Sequence, residues 1–278
     1  MRANRRWRQG MRAVELVVQW RDGSTQPWTF ADTSRLHLVQ VSRPAGKNDV
    51  GMVAWLLTLR TPEAPEGRQL VLIANDITVM SGSFGTREGV VFDLASKYAR
   101  ERGLPRLYLA ANSGARIGLS ATVRERYRVA WVNATDPTQG FEYLYLTPTD
   151  YAELSAKTAV NAERVMVDGE ERFRITDVIG DEADLGVENL CGSGTIAGET
   201  ARAYTDTFTL TLVVGRAVGI GAYLVRLGHR TIQCASNAPI ILTGHQALNK
   251  LLGRAIYTSN EQLGGANIMI PNGVSHIL

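Results

Sequence analysis

The sequence predicts an α/β protein built on a parallel sheet, with an antiparallel β insertion. Three observations predict it. From Gln69 onward, apolar β-type runs alternate with segments of helical spacing, the order that yields parallel strands joined by right-handed crossovers. Between Val165 and Ile175, two runs rich in β-type residues flank Asp168-Gly169, a tight-turn pair that marks a hairpin. Two strand ends run into glycine turns before a helix, at Ser113–Gly118 and Gly215–Gly221.

Taken in order, residues 1–45 are weakly patterned. Ala13–Trp20 and His37–Val41 are candidate strands, and Asp22-Gly23 is a turn signal. This stretch is expected to be a peripheral segment. Residues 44–49 read as a loop and Met52–Leu59 as a core strand. The Pro- and Glu-rich stretch Thr61–Gly67 closes a hairpin onto the buried strand Gln69–Ala74. A polar loop is expected from Asn75 to Gly89. Val90–Arg102 then carries Val91, Leu94, Ala95, Tyr98 and Ala99 at helical spacing, ended by Gly103 and Pro105. Arg106–Ala110 is the next strand. Trp131–Tyr145 and Arg164–Ile179 form the antiparallel insertion. The rhythm resumes with helix 196–204, strand 207–214, helix 219–227, strands 230–234 and 239–242, and helix 245–252.

Composition narrows the function. The chain has 278 residues, 45% hydrophobic and 21% charged, ordinary for a globular protein able to bury its own core. A net charge of +3 is too small to argue for nucleic acid, and no nucleic-acid-binding signature accompanies it. Cys191 and Cys234 lie far apart, and the histidines (His37, His229, His245, His276) add no metal spacing, so no metal is expected. No apolar run is long enough to span a membrane. The basic start (Arg2, Arg5, Arg6, Arg8, Arg12) reads as a solvated tail rather than a transit peptide, because serine is absent and Trp7 interrupts it.

The chemistry concentrates between Leu185 and Gly228. A glycine-rich loop (Gly192, Gly194, Gly198) precedes the β-type run Thr207–Val214. Arg216 then stands beside Gly219 and Gly221 at a helix start. Helix N-termini present bare N–H groups that attract anions and developing oxyanions. Arginine can grip a carboxylate with two parallel hydrogen bonds. A single glycine turn means no more than a tight turn; two of them, one flanked by Arg216, can form an oxyanion hole. No nucleophile elbow, complete dinucleotide fingerprint or phosphate-binding loop is present. Cys191 reads as a small buried or loop residue rather than a nucleophile, His229 as a surface cap, and Asp184 and Glu188 as rim residues of the glycine loop. Backbone donors with an arginine and no side-chain nucleophile suit enolate chemistry on an acyl thioester.

Longer motifs carry a resemblance. Ile73-Ala74-Asn75-Asp76-Ile77-Thr78, Gly82-Ser83-Phe84-Gly85, Ala110 to Gly118, Gly140 to Thr147, Gly219 to Gly228, Leu252-Gly253-Arg254 with Tyr257 to Asn260, and Gln262-Leu263-Gly264-Gly265 are collinear with the carboxyltransferase region of eukaryotic-type, multidomain acetyl-CoA carboxylases. The resemblance covers Gly46 to the end. It implies a crotonase-like ββα superhelix, with residues 46–278 as the N-terminal half of a carboxyltransferase domain. It implies transfer of a carboxyl group from carboxybiotin to acetyl-CoA, giving malonyl-CoA, the first committed step of fatty-acid synthesis.

The resemblance also implies partners and roles. Biotin would come on a carrier domain outside this chain, charged by a biotin carboxylase domain. The active site would lie against the C-terminal carboxyltransferase half of a second subunit in a homodimer, so this half alone should turn over poorly. Arg216 matches the arginine that contacts the transferred carboxylate or substrate. Gly114, Ala115 and Gly219 match the acyl pocket, where backbone amides meet the thioester oxygen. Leu190 and Tyr223 match pocket walls, and Asn75 and Asp76 the path of CoA. A cytoplasmic enzyme is implied, with a plastid one as the alternative. Propionyl-CoA or another acyl-CoA as substrate, a crotonase-type decarboxylase, or a non-catalytic acyl-CoA-binding half are the competing readings. The chain departs from the family at Ser120-Ala121-Thr122, where an acidic helix start is usual; the first helical turn therefore lacks charges that favour its dipole.

Overall fold

The computed structural model describes residues 10–26, 28–44, 46–156, 160–176 and 190–276. It is an α/β structure. The chain runs β1 (Met11–Trp20), β2 (Leu36–Val41), β3 (Met52–Thr61), β4 (Ala64–Asn75), α1 (Thr86–Glu101), β5 (Arg106–Ala110) and a single turn α2 (Ala121–Arg124). It continues with β6 (Arg128–Trp131), β7 (Phe141–Leu146), α3 (Pro148–Ser155), β8 (Ala162–Val167), β9 (Glu170–Ile175) and α4 (Leu190–Asp206). It ends with β10 (Thr209–Val213), β11 (Ala217–Val218), α5 (Ile220–Arg226), β12 (Arg230–Gln233), β13 (Ile240–Ile241), α6 (His245–Leu252), and the short α7 (Glu261–Gly264) and α8 (Ala266–Met269).

The main sheet has seven strands in the order β12-β10-β5-β4-β3-β1-β2. The parallel sheet expected from the sequence occupies only part of it. β4, β5, β10 and β12 are parallel, whereas β4, β3, β1 and β2 pair antiparallel. β3 and β4 are the hairpin expected from the sequence, since a tight turn joins only antiparallel neighbours, whereas β1 and β2, expected to be peripheral, extend the same sheet antiparallel. β1 and β2 form the far edge of this sheet. Their Leu16, Val18, Trp20 and Leu36 nevertheless enter the main core. That core packs Met52, Ala54, Val71 and Ile73 of the sheet with Val90, Phe92, Ala95 and Ala99 of α1. Each such burial contributes about 1.5–3 kcal/mol for a large apolar side chain. Phe92 meets Tyr108 edge to face at 5.2 Å between ring centres.

The insertion is the expected antiparallel unit, a four-stranded sheet in the order β6-β7-β9-β8. Its hairpin turns at Asp168-Gly169, both at positive φ (51° and 83°), as a two-residue mirror-type turn requires. A separate small core of Val123, Leu146, Leu154 and Val160 supports it.

Three stretches differ from expectation. The polar loop expected to reach Gly89 stops at Gly85, because Glu88 starts the helix early. Its carboxylate accepts from the Gly85 and Gly51 amides, each at 2.9 Å, and pairs with Arg116 at 3.2 Å. The second difference is larger. Gly192, Gly194 and Gly198 do not form a loop but lie within α4. Each glycine costs a helix about 1 kcal/mol relative to alanine. Packing on α1 overrides this: Ile196, Thr200 and Ala203 are buried, and Glu199 takes Arg100 of α1 at 2.6 Å. The last turn of β5 also behaves differently from expectation. No helix follows Ser113–Gly118 until Ala121, and α2 is a single turn held by a bond from the Val123 amide to Ser120 Oγ at 3.3 Å. The positions of Asp184 and Glu188 lie outside the described residues.

Glu88 is almost fully buried and serves two loops and one arginine, so removing it strands all of them. Glu88→Ala should lower the unfolding free energy by roughly 3 kcal/mol, read from urea denaturation. A loss below about 1 kcal/mol would show that the early helix start does not depend on this carboxylate.

Candidate functional site

Three chain segments meet beyond the ends of β4, β5 and β10: residues 75–85, 111–116 and 214–221. β5 ends at Ala110 and β10 at Val213, neighbours in the sheet, so the loops that follow leave side by side. They are joined by main-chain bonds. The Val214 amide donates to the Ala110 carbonyl at 3.1 Å, and the Asn112 amide to the Arg216 carbonyl at 2.7 Å.

Asn112 holds the crossing. Its side chain is 1% exposed. The side-chain oxygen accepts from the Gly114 amide at 3.2 Å and the Val218 amide at 3.1 Å. Its Nδ2 donates to the Tyr108 hydroxyl at 3.3 Å. That hydroxyl donates to Asn75 Oδ1 at 2.6 Å, and Asn75 Nδ2 donates to the Gly82 carbonyl at 3.2 Å. Burial pushes the Tyr108 phenol well above its ordinary range, so it stays protonated and keeps this direction of donation. Two glycines make room. At Gly221 a Cβ would fall 2.0 Å from Asn112 Oδ1, and at Gly114, with φ at 83°, it would fall 3.1 Å from the Val218 carbonyl.

The two glycine turns expected from the sequence therefore do come together, and Gly114, Ala115, Arg216 and Gly219 lie on them. The Phe84 and Ala115 backbones form a parallel bridge, with the Phe84 amide on the Gly114 carbonyl and the Arg116 amide on the Phe84 carbonyl, both at 2.8 Å. This pattern leaves the Ala115 N–H without an acceptor among the described residues. The Gly219 N–H differs: it donates to the Ile241 carbonyl at 2.9 Å. The expected amide donor at Gly219 is thus already engaged by the pairing of β11 with β13. Arg216 is exposed, and no carboxylate pairs with it among the described residues. It lines a cavity of about 750 Å³ together with Asn75, Ser81, Asn112, Asn237 and Glu261. Among the described residues no histidine or cysteine lines that cavity.

The remaining expected residues are distributed around this crossing. Asn75 borders both the Arg216 cavity and a wider groove of about 950 Å³. Asp76 faces that groove with Arg12, Arg43 and Lys47. Its carboxylate accepts from Thr78 Oγ1 at 2.5 Å and Asn48 Nδ2 at 2.8 Å, bonds that hold it below the usual carboxylate range against the effect of burial. Tyr223 lines a separate apolar cavity of about 530 Å³ with Ile241, Leu242, Leu248, Leu263 and Met269. Leu190 is the first residue of α4. Cys191 and Cys234 are exposed free thiols. His229 is bonded to Thr209 Oγ1 at 3.0 Å and stacked on Tyr204, away from the cavity lining. Among the described residues no His/Cys/Asp/Glu group could hold a metal ion, and no helix is long and apolar enough to cross a membrane.

Sequence reasoning missed Asn112 and Tyr108 as organisers. Tyr108 alternates inward along β5 like any core residue, and Asn112 is one polar residue in a polar turn. Only the inward position of an amide directly after a buried strand hinted at more.

Comparison with known proteins gives this geometry a family. The carboxyl transferase domain model matches residues 62–278. An acetyl-CoA carboxylase of Dictyostelium discoideum is 55% identical over 247 residues, covering 89% of this chain and 11% of that protein. One from Saccharomyces cerevisiae is 56% identical over 243 residues, covering 86% of this chain and 11% of that protein. A Saccharomyces cerevisiae protein named acetyl-CoA carboxylase, mitochondrial, is 54% identical over 244 residues, covering 87% and 11%. The chain thus spans about a tenth of the length of these relatives. With the match extending over the crossing loops and the strands that carry them, the chain belongs to the carboxyl transferase domain family.

Proposed function

We propose that this chain is the acyl-CoA side of a carboxyltransferase active site, working on acetyl-CoA to give malonyl-CoA. The observation that carries the reading is the Arg216 guanidinium, without a carboxylate partner among the described residues, in a cavity beside the crossing whose other turn bears the Ala115 amide, likewise without an acceptor among them. Arg216 gives this cavity, which Glu261 also lines, a fork-shaped donor able to make two parallel bonds to a carboxylate. Carboxybiotin, delivered by a carrier domain outside this chain, would supply the carboxyl group, and the biotin ring nitrogen that gives it up would take the proton leaving the methyl carbon of acetyl-CoA. This chain's own part is electrostatic. The Ala115 N–H donates to the thioester oxygen as negative charge develops there on forming the enolate. Arg216 holds the carboxylate in line with the acceptor carbon, so that bond formation is a matter of position. The Gly219 amide joins the oxyanion site only if its bond to Ile241 opens.

The order of elements favours a crotonase-like ββα superhelix. β10 lies in the main sheet, β11 in a small parallel sheet, and α5 follows; β12, β13 and α6 repeat that order. The Phe84–Ala115 bridge takes the place of the small sheet after β4 and β5. We take residues 46–278 as the catalytic half and 1–45 as its N-terminal extension. The C-terminal half of a second subunit would complete the site, and biotin carrier and biotin carboxylase domains would feed it. The groove lined by Arg12 and Lys47 suits the phosphates of CoA, with Asn75 and Asp76 in its lining, and Tyr223 walls a separate apolar pocket. A cytoplasmic location goes with this reading, with an organelle such as the plastid as the alternative.

The reverse reaction tests the proposal. With malonyl-CoA and free biotin, acetyl-CoA should form when this chain is mixed with the C-terminal half of a related enzyme. Little should form with the chain alone. Measurable acetyl-CoA binding without turnover in either case would favour a non-catalytic acyl-CoA-binding half. Arg216→Ala should lower the rate of the mixture by roughly 100-fold or more, and unchanged transfer would remove Arg216 from the site. Lys47→Glu should raise KM for malonyl-CoA several-fold and leave kcat near its original value; a constant KM would place the CoA phosphates elsewhere. Relative rates on acetyl-CoA and propionyl-CoA should favour acetyl-CoA.

A further inference from the structure

We propose that Asn112 is a positioning residue for carboxyl transfer, setting the spacing between the acyl-side amide at Ala115 and the arginine at 216, with Tyr108 as its brace. This role rests on the carboxyltransferase reading above. One oxygen of Asn112 takes the Gly114 amide, next to Ala115, and the Val218 amide, two residues after Arg216. Its own main-chain amide takes the Arg216 carbonyl at 2.7 Å. The two halves of the site thus share one residue, and neither shifts without stretching a bond to it.

The chemistry of the side chain is specific. One oxygen, with two lone pairs, must accept from both amides, while the nitrogen on the same carbon must donate to Tyr108. Alanine leaves the buried Gly114 amide and the half-buried Val218 amide without that acceptor. Glutamine is longer by one methylene in a site where Gly221 already leaves no space. The brace fixes the rotation of the carboxamide. Tyr108 is fully buried against Phe92, and its hydroxyl passes the bond on to Asn75. Asn75 in turn holds the Gly82 carbonyl at the end of a turn in which Met80 and Ser81 both have positive φ. Non-glycine residues persist there only where their surroundings over-determine them. The brace therefore fixes the third segment, whose Phe84 pairs with Gly114 and Arg116 on either side of Ala115.

Displacement of reacting groups by about 1 Å can cost roughly 100-fold in rate, whereas remote binding of the CoA body is untouched. Loss of Asn112 should therefore appear in kcat and not in KM. A purely structural residue would instead reduce the fraction of folded protein and leave each folded molecule active.

The test uses the full chain mixed with the C-terminal half, in the reverse reaction, with kcat expressed per folded molecule from circular dichroism. Asn112→Ala should lower kcat roughly 100-fold while KM for malonyl-CoA stays within about threefold. Tyr108→Phe, which keeps the ring packed on Phe92, should show the same pattern at roughly tenfold. A folded Asn112→Ala variant whose kcat stays within about threefold of the original overturns the role. If that variant does not fold, Tyr108→Phe decides alone: unchanged kcat overturns the role, and a fall in kcat at constant KM supports it. No transfer by the unsubstituted pair overturns the carboxyltransferase reading and this role with it.

Discussion

Asn112 spends one oxygen on two amides of different loops and one nitrogen on a tyrosine of the strand below. The crossing of the loops beyond β4, β5 and β10 depends on that arrangement. Loops beyond a sheet have no ladder to define their spacing, and each carries backbone groups that need partners once buried. A single buried carboxamide meets both needs at one point. It satisfies the amides and, because amide bonds have narrow geometry, it fixes the distance between the loops. Gly114 and Gly221 are the counterpart of this choice, since the crossing is too close for a side chain at either.

The scaffold beneath is built to keep that point still. β4, β5 and β10 are adjacent and parallel, so their C-terminal ends lie together and their loops emerge on one side. This is the edge at which open α/β sheets gather ligands. Helix α1 covers the sheet with Val90, Phe92, Ala95 and Ala99, and α4 is tied to α1 through Glu199 and Arg100. Arg106 is fully buried between them, donating to Ser96 Oγ at 2.9 Å and Thr200 Oγ1 at 3.3 Å and lying 5.2 Å from the Phe92 ring centre. Burial without a direct carboxylate partner lowers its guanidinium to about 10. It remains charged at neutral pH, held by hydroxyls, ring face and the nearby Glu199.

Charge is used differently at the site. Arg100, Arg116 and Arg126 each face an acidic partner, and their roles are structural. Arg216 stands exposed in its cavity with no acidic partner among the described residues. An arginine without a protein carboxylate among the described residues is free to meet an anionic ligand, which is the role proposed for it above.

Much of this was legible from the sequence. Local periodicity determined β5 at its observed bounds, the hairpin at Asp168-Gly169, helix α6, and the presence of two glycine turns with Arg216 on one of them. Those signals are set within a few residues by backbone geometry, so a window of sequence carries them. The early start of α1, the helical state of Gly192 to Gly198 and the engaged amide of Gly219 came only from tertiary structure. In each case the deciding partner is distant in the chain: Gly51 for Glu88, Arg100 for Glu199, Ile241 for Gly219. Asn112 is the clearest instance, with one partner 106 positions away and, through Tyr108, a second link spanning 33. A residue's neighbours along the chain state its type and its local geometry. Its function here depends on which strand ends the sheet brings together, and that is fixed only when the whole sheet has paired.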